Sequence, residues 1–154
     1  MKLPWPHIVE ADPVSTAASG LFAQRTRMNV LANNLANVNT TRDEQGNFAP
    51  YLRKEVLFKT AAINPDKPDE QGVDVHSILP SRMPLRRIYE PDHPEADAMG
   101  YRLEPGVKVT QEMTNFIEAS RAYESNLNSM KISADALGRT IGILDNSAVV
   151  NDEA

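Results

Sequence analysis

The chain has 154 residues, 41% of them apolar, a net charge of −5 and no cysteine. Disulfides, thiolate metal sites and cysteine nucleophiles are therefore excluded, and the acidic balance leaves no basic footprint for nucleic acid beyond Arg82, Arg86 and Arg87. No stretch approaches the roughly 20 consecutive apolar residues of a membrane span, and the opening MKLPWPHIVE lacks the apolar run of a cleavable signal.

Proline divides the rest. Pro4, Pro6 and Pro13 precede the first periodic segment, eight prolines fall between Pro50 and Pro105, and none follows. Because proline breaks helix interiors, long helices can occupy only the two proline-free ends. The fold class this predicts is α+β: long N- and C-terminal helices paired in a coiled-coil-like bundle, with a small β domain inserted between them.

Residues 1–11 read as an extended arm anchored by Trp5 and Ile8. The N-terminal helical segment, 12–41, opens with Asp12 as its cap and Pro13 in the first helical position. Val14, Ala17, Leu21, Gln24, Met28, Leu31, Leu35 and Val38 then step by three and four, the spacing of a narrow seam. Its flank is crowded with amides, since Asn29, Asn33, Asn34, Asn37 and Asn39 fall within eleven residues. Asparagine forms helix less readily than Glu, Lys or Gln. These amides are therefore expected to hydrogen-bond to neighbouring chains, rather than only to fray the helix before a turn at Asn39-Thr40-Thr41.

Residues 42–108 read as a β-rich middle domain too small to be stable without the helices. Tyr51–Lys59, Val73–Val75 and Leu85–Tyr89 are its candidate strands, with turns at Asn64-Pro65, Lys67-Pro68 and Gln71-Gly72. His93, with Asp92, Glu95 and Asp97 nearby, could be drawn as a metal cage, but Pro91 and Pro94 favour a rigid turn. No nucleophile elbow, P-loop or dinucleotide fingerprint is present. No enzyme, cofactor, metal or small-molecule substrate is expected.

The last helical segment, 109–146, begins with Thr110 as cap and Glu112 in the first turn; residues 147–154 form a tail. Met113, Phe116, Ser120, Tyr123, Leu127, Met130, Ala134, Leu137, Ile141 and Leu144 again alternate steps of three and four. Two matching seams are the simplest partners for each other. The last helix is the longer, so Leu137, Ile141 and Leu144 should overhang the first and call for another subunit. Gly138 and Gly142 either loosen that end or admit a close backbone.

Several of these residues are familiar as a set. Ser19-Gly20-Leu21 with Leu31-Ala32-Asn33-Asn34-Leu35-Ala36-Asn37-Val38-Asn39-Thr40 resembles the N-terminal signature of bacterial flagellar rod and hook proteins. Val109–Asn126 resembles their C-terminal signature in Glu112, Met113, Ala119, Arg121, Tyr123, Glu124 and Asn126. Tyr89–Asp97 with Gly100-Tyr101 is similar to the segment that marks the proximal-rod branch, the FlgC type. Pro105-Gly106-Val107 departs from the family's usual Pro-Asn-Val.

The resemblance implies a non-enzymatic structural subunit of the basal-body rod, in the periplasmic space, exported without a cleaved signal. Its implied partners are copies of itself, other rod subunits, the flagellar type III export apparatus, and the inner-membrane ring with its adaptor. The residues expected to pack subunits together are Val14, Leu21, Met28, Leu31, Leu35, Asn33, Asn34, Asn37, Asn39, Met113, Phe116, Arg121, Tyr123, Glu124, Asn126, Leu127, Met130, Leu137, Ile141 and Leu144. The rival readings are another axial protein of the distal rod or hook, and a module whose middle domain binds peptidoglycan or a protein.

Overall fold

The computed structural model describes residues 13–151, excluding the side chains at 67, 69 and 143–151. The arm 1–11, Asp12, the tail beyond 151 and the Leu144 side chain lie outside the described residues. The elements run α1 (Pro13–Ala36), β1 (Lys54–Asn64), β2 (Lys67–Pro80), β3 (Arg86–Tyr89), β4 (Tyr101–Glu104) and α2 (Val109–Asn151). Two long helices thus flank a small β region, as the proline distribution predicts.

Pro13 occupies the first position of α1, where its missing N–H costs nothing and its fixed φ suits the helix. The helix closes by tightening. The Val38 N–H reaches the Leu35 carbonyl at 3.3 Å, and the Asn37 side-chain amide donates to the Asn33 carbonyl at 2.8 Å. α2 starts at Val109, one residue before the expected cap Thr110.

The helices are antiparallel. As α1 advances from Gly20 to Arg27 to Asn34, its neighbours on α2 retreat from Asn126 to Glu118 to Glu112. With 24 and 43 residues, they are about 36 and about 64 Å long. α2 therefore runs far past the start of α1, and every described side chain from Ala134 to Gly142 is exposed.

β1 and β2 form an antiparallel ribbon that pairs Lys54 with Pro80 at one end and Asn64 with Lys67 at the other. Of the three expected turns only Asn64-Pro65 turns the chain, with the Asp66 N–H donating to Asn64 Oδ1 at 3.0 Å. Lys67-Pro68 and Gln71-Gly72 lie inside β2 instead. A proline is tolerated there because β2 is paired on one side only. Gly72 marks a close approach, since a Cβ there would stand 2.5 Å from Ser19 Oγ of α1 and 2.8 Å from Ile63. The pairing shifts between Leu57 and Phe58, whose partners are Ser77 and Val75, so that His76 of β2 is left as the extra residue of a bulge.

β3 and β4 form a second ribbon, pairing Arg86 with Glu104 through to Tyr89 with Tyr101. Its connection is fixed by Asp97, whose Oδ1 accepts the N–H groups of Met99 and Tyr101 at 2.8 and 2.9 Å. Gly100 follows at φ +80°, a conformation that suits glycine. The buried apolar side chains among the described residues are few: Ala17, Ala23, Val30, Leu31, Pro105, Val107 and Ala119. Asn34, Arg53, Glu70 and Glu112 are buried with them.

Candidate functional site: a buried polar junction and the outward helix faces

Where α1, α2 and the start of β1 meet, polar side chains replace an apolar core. Asn34 is fully buried. Its amide nitrogen donates to the Lys54 carbonyl and to Glu112 Oε2, each at 2.9 Å. Its oxygen accepts the Lys54 N–H and the Tyr51 hydroxyl, also at 2.9 Å. Those four bonds fill the whole capacity of a carboxamide. Engaging both backbone groups of Lys54, the side chain acts as a neighbouring strand would.

The other Glu112 oxygen accepts from Arg53 Nε at 2.7 Å, and both side chains are buried. Arg53 also pairs with Glu55, which in turn accepts the Ser81 hydroxyl at 2.8 Å. Burial works against the Arg53 charge, but the hydrogen bond and charge of Glu112, joined by those of Glu55, outweigh it and raise the guanidinium pKa. The Ser81 hydroxyl is the main cause that holds Glu55 below the usual carboxylate value, with Arg53 adding to it and burial opposing. Burial first, and the Glu112 charge second, push the Tyr51 phenol up, so it remains a donor to Asn34.

The expected seam of α2 is rotated by one position. The fully buried side chains of α2 are Glu112 and Ala119, spaced by seven, and the half-buried Asn126 extends the row against Gly20. A Cβ on Gly20 would stand 2.6 Å from Asn126 Nδ2. Tyr123, Leu127 and Met130 are half-buried beside that row, whereas Met113 and Phe116 are 52% and 41% exposed. Apolar spacing alone misplaces the contact, because this interface draws the backbones together with small residues and polar pairs. On α1, Leu31 is buried and Val14, Leu21, Met28 and Leu35 are half-buried.

The amides divide similarly. Asn34 is satisfied within the subunit, and so is Asn37, whose Oδ1 accepts the Thr40 hydroxyl at 3.1 Å. Asn33 and Asn39 are exposed. Arg121 and Glu124 point outward and form no ion pair with each other among the described residues. Leu137 and Ile141 are 47% and 66% exposed. The signature residues therefore sort onto two faces: Ser19, Gly20, Asn34, Glu112, Ala119 and Asn126 turned inward, and Asn33, Met113, Arg121 and Glu124 turned outward. Arg53 and Tyr51, which complete the junction, carry no local motif.

The segment 90–100 is braced by charge. Arg42 Nε meets Glu95 Oε1 at 2.6 Å, Arg102 Nε meets Glu90 at 2.7 Å, and Arg87 pairs with Asp97 at 3.3 Å while stacking on Tyr101. The Thr41 hydroxyl first, and Arg42 with it, hold the Glu95 carboxyl low. A cleft of about 620 Å³ lies beside it, lined by Arg42, His93, Glu95, Arg102 and Glu104 among others. Its charges answer one another. Among the described residues no cluster of His, Asp or Glu is arranged to hold a metal ion, and no helix is long and apolar enough to cross a membrane.

Two family signatures match the chain at its ends. The family described as flagella basal body rod protein matches residues 15–42, and that described as flagellar basal body rod FlgEFG protein C-terminal matches residues 100–143. The inward row draws on both matched segments. The chain is 36% identical over 146 residues to the flagellar basal-body rod protein FlgC of Borreliella burgdorferi, covering 85% of this chain and 95% of that one. It is 38% identical to FlgC of Yersinia enterocolitica over 127 residues, covering 81% and 90%. Against FlgC of Salmonella typhimurium it is 38% identical over 125 residues, with the same coverage. Similarity of that extent, carried on paired terminal helices, places the chain in the FlgC family of flagellar basal-body rod proteins, as a structural subunit of the rod.

Proposed function

We infer that this subunit builds the proximal rod by packing the outward faces of its helices against copies of itself and neighbouring axial subunits. The observation that carries this reading is the length of α2 left uncovered by α1, with Leu137 and Ile141 exposed one turn apart along it. An apolar row on a helix end, flanked by Lys131, Asp135 and Arg139, buries its surface only against another chain. Phe116 lies in line with Ile141 beside the paired region, while Met113, Asn33, Asn39, Arg121 and Glu124 offer further exposed faces for neighbours. Leu144 continues the row by its sequence position. The subunit reaches the periplasm through the flagellar type III export apparatus and adjoins the inner-membrane ring with its adaptor. Torque passes through many small contacts between helices, and no substrate is turned over.

The test is a strain whose only copy of the gene carries Ile141→Asp. The chain should accumulate to the normal level with an unchanged circular dichroism spectrum, while intact rods and swimming are lost. Normal rods in that strain would overturn the reading.

A further inference from the structure

Two separated sets of hydrogen bonds tie the β1–β2 ribbon to α1. At one end the Asn34 carboxamide holds both backbone groups of Lys54. At the other, Ser19 Oγ accepts the Val73 N–H at 3.1 Å, beside the Gly72 backbone. From Asn34 back to Ser19 the helix covers about 22 Å, and from Lys54 to Ala61, the partner of Gly72, the strand covers about 23 Å. The ribbon thus lies along the helix, pinned at both ends of a matched span. A single pin would let it swivel.

The first pin is not made by α1 and β1 alone. One Asn34 donor is used by Glu112 of α2, and Arg53, one residue before Lys54, is buried on the other oxygen of that carboxylate. If α2 leaves, Arg53 loses the Glu112 carboxylate that offsets its burial and retains only the half-exposed Glu55 as an ion partner. The segment that carries Arg53 must then move into water, taking the start of β1 with it. We propose that Glu112 is a positioning residue that makes the alignment of the β1–β2 ribbon on α1 conditional on the docking of α2. Helix pairing and ribbon placement are then one cooperative event. This concerns the inside of the subunit and stands or falls independently of the outward faces.

Because the chain has no cysteine, pairs of introduced cysteines can carry spin labels without a background. Arg25→Cys with His76→Cys reports the ribbon against α1, and Arg25→Cys with Ser129→Cys reports α2 against α1; all three sites are exposed. Pulsed electron resonance on the full chain gives a distance distribution for each pair. Ala119→Arg puts a charge where no space exists and undocks α2; the proposal requires both distributions to broaden together. Glu112→Gln keeps the shape and removes the charge; the ribbon distance should lose its single narrow peak while the helix distance keeps its own. A narrow ribbon distance with a broad helix distance in any chain, the parent included, would overturn the proposal. So would a Glu112→Gln chain in which both distances stay narrow.

Discussion

Asn34 is the residue on which three parts of the subunit agree, and its replacement should be felt in all of them. Asn34→Ala strips partners from both backbone groups of Lys54, from Tyr51 and from Glu112. The expected loss is about 3 kcal/mol of stability in urea unfolding; a loss under about 0.5 kcal/mol would mean that water replaces the amide freely. Acid should act on a neighbouring group. Ser81, with Arg53, lowers the folded-state pKa of Glu55 from its ordinary 4.5. A carboxylate with a depressed folded pKa stabilises the fold above the unfolded value, and that contribution disappears as pH falls through the folded one. Thermal midpoints taken from about pH 6 down to about pH 3 should therefore decline less steeply in Ser81→Ala than in the parent. The sequence already marks Asn34, because an amide inside a helix asks for a partner. It assigns that partner to another chain, since Glu112 and Lys54 are 78 and 20 residues away and nothing local announces either. Arg53 is less legible still, as a single arginine in a strand-like run reads as solvated.

At the scale of the elements, two glycines make opposite demands. A Cβ on Gly106 would stand 2.5 Å from the Pro84 carbonyl oxygen, part of a backbone that cannot easily give way. This accounts for glycine at that position. Gly106→Ala should lower the thermal midpoint markedly. Gly138 has nothing within 4 Å, so Gly138→Ala should gain about 1 kcal/mol of helix propensity, visible as more helix by circular dichroism in the isolated chain. If the same variant impairs rod formation, a neighbouring backbone lies against that turn. Helix existence and order were legible because proline excludes helices from the middle, and the excess length of α2 followed from counting. The contact face was legible in part. The spacing places the inward side of α1, with Ala17 and Leu31 buried, and the half-buried Tyr123, Leu127 and Met130 of α2, but it overlooks Gly20, Ala119 and the buried Glu112 at the centre of the contact. β4 was missed for a related reason, since Arg102 and Glu104 disguise a strand whose charges are paired across and along its ribbon.

Across the whole molecule, the subunit keeps its internal contacts polar and directional and turns much of its apolar surface outward. Phe22, Leu79, Met113, Ile132 and Ile141 are exposed, while the buried apolar side chains are mostly small. That distribution suits a structural part of a larger shaft, whose apolar surface is completed by its neighbours. The β region has a consequence of its own. Each of its two ribbons has only two strands, so every strand has one side that pairs with no other strand, a margin met by side chains at Lys54 and Val73 and reaching along up to 14 residues in β2. Such a margin is a template for any extended peptide, sister molecules included. Purified protein held at high concentration should therefore be lost to fibrils that bind thioflavin, seeded from the hairpin and not from the helices. A proline in place of Thr60 should delay their onset without preventing α1 and α2 from pairing.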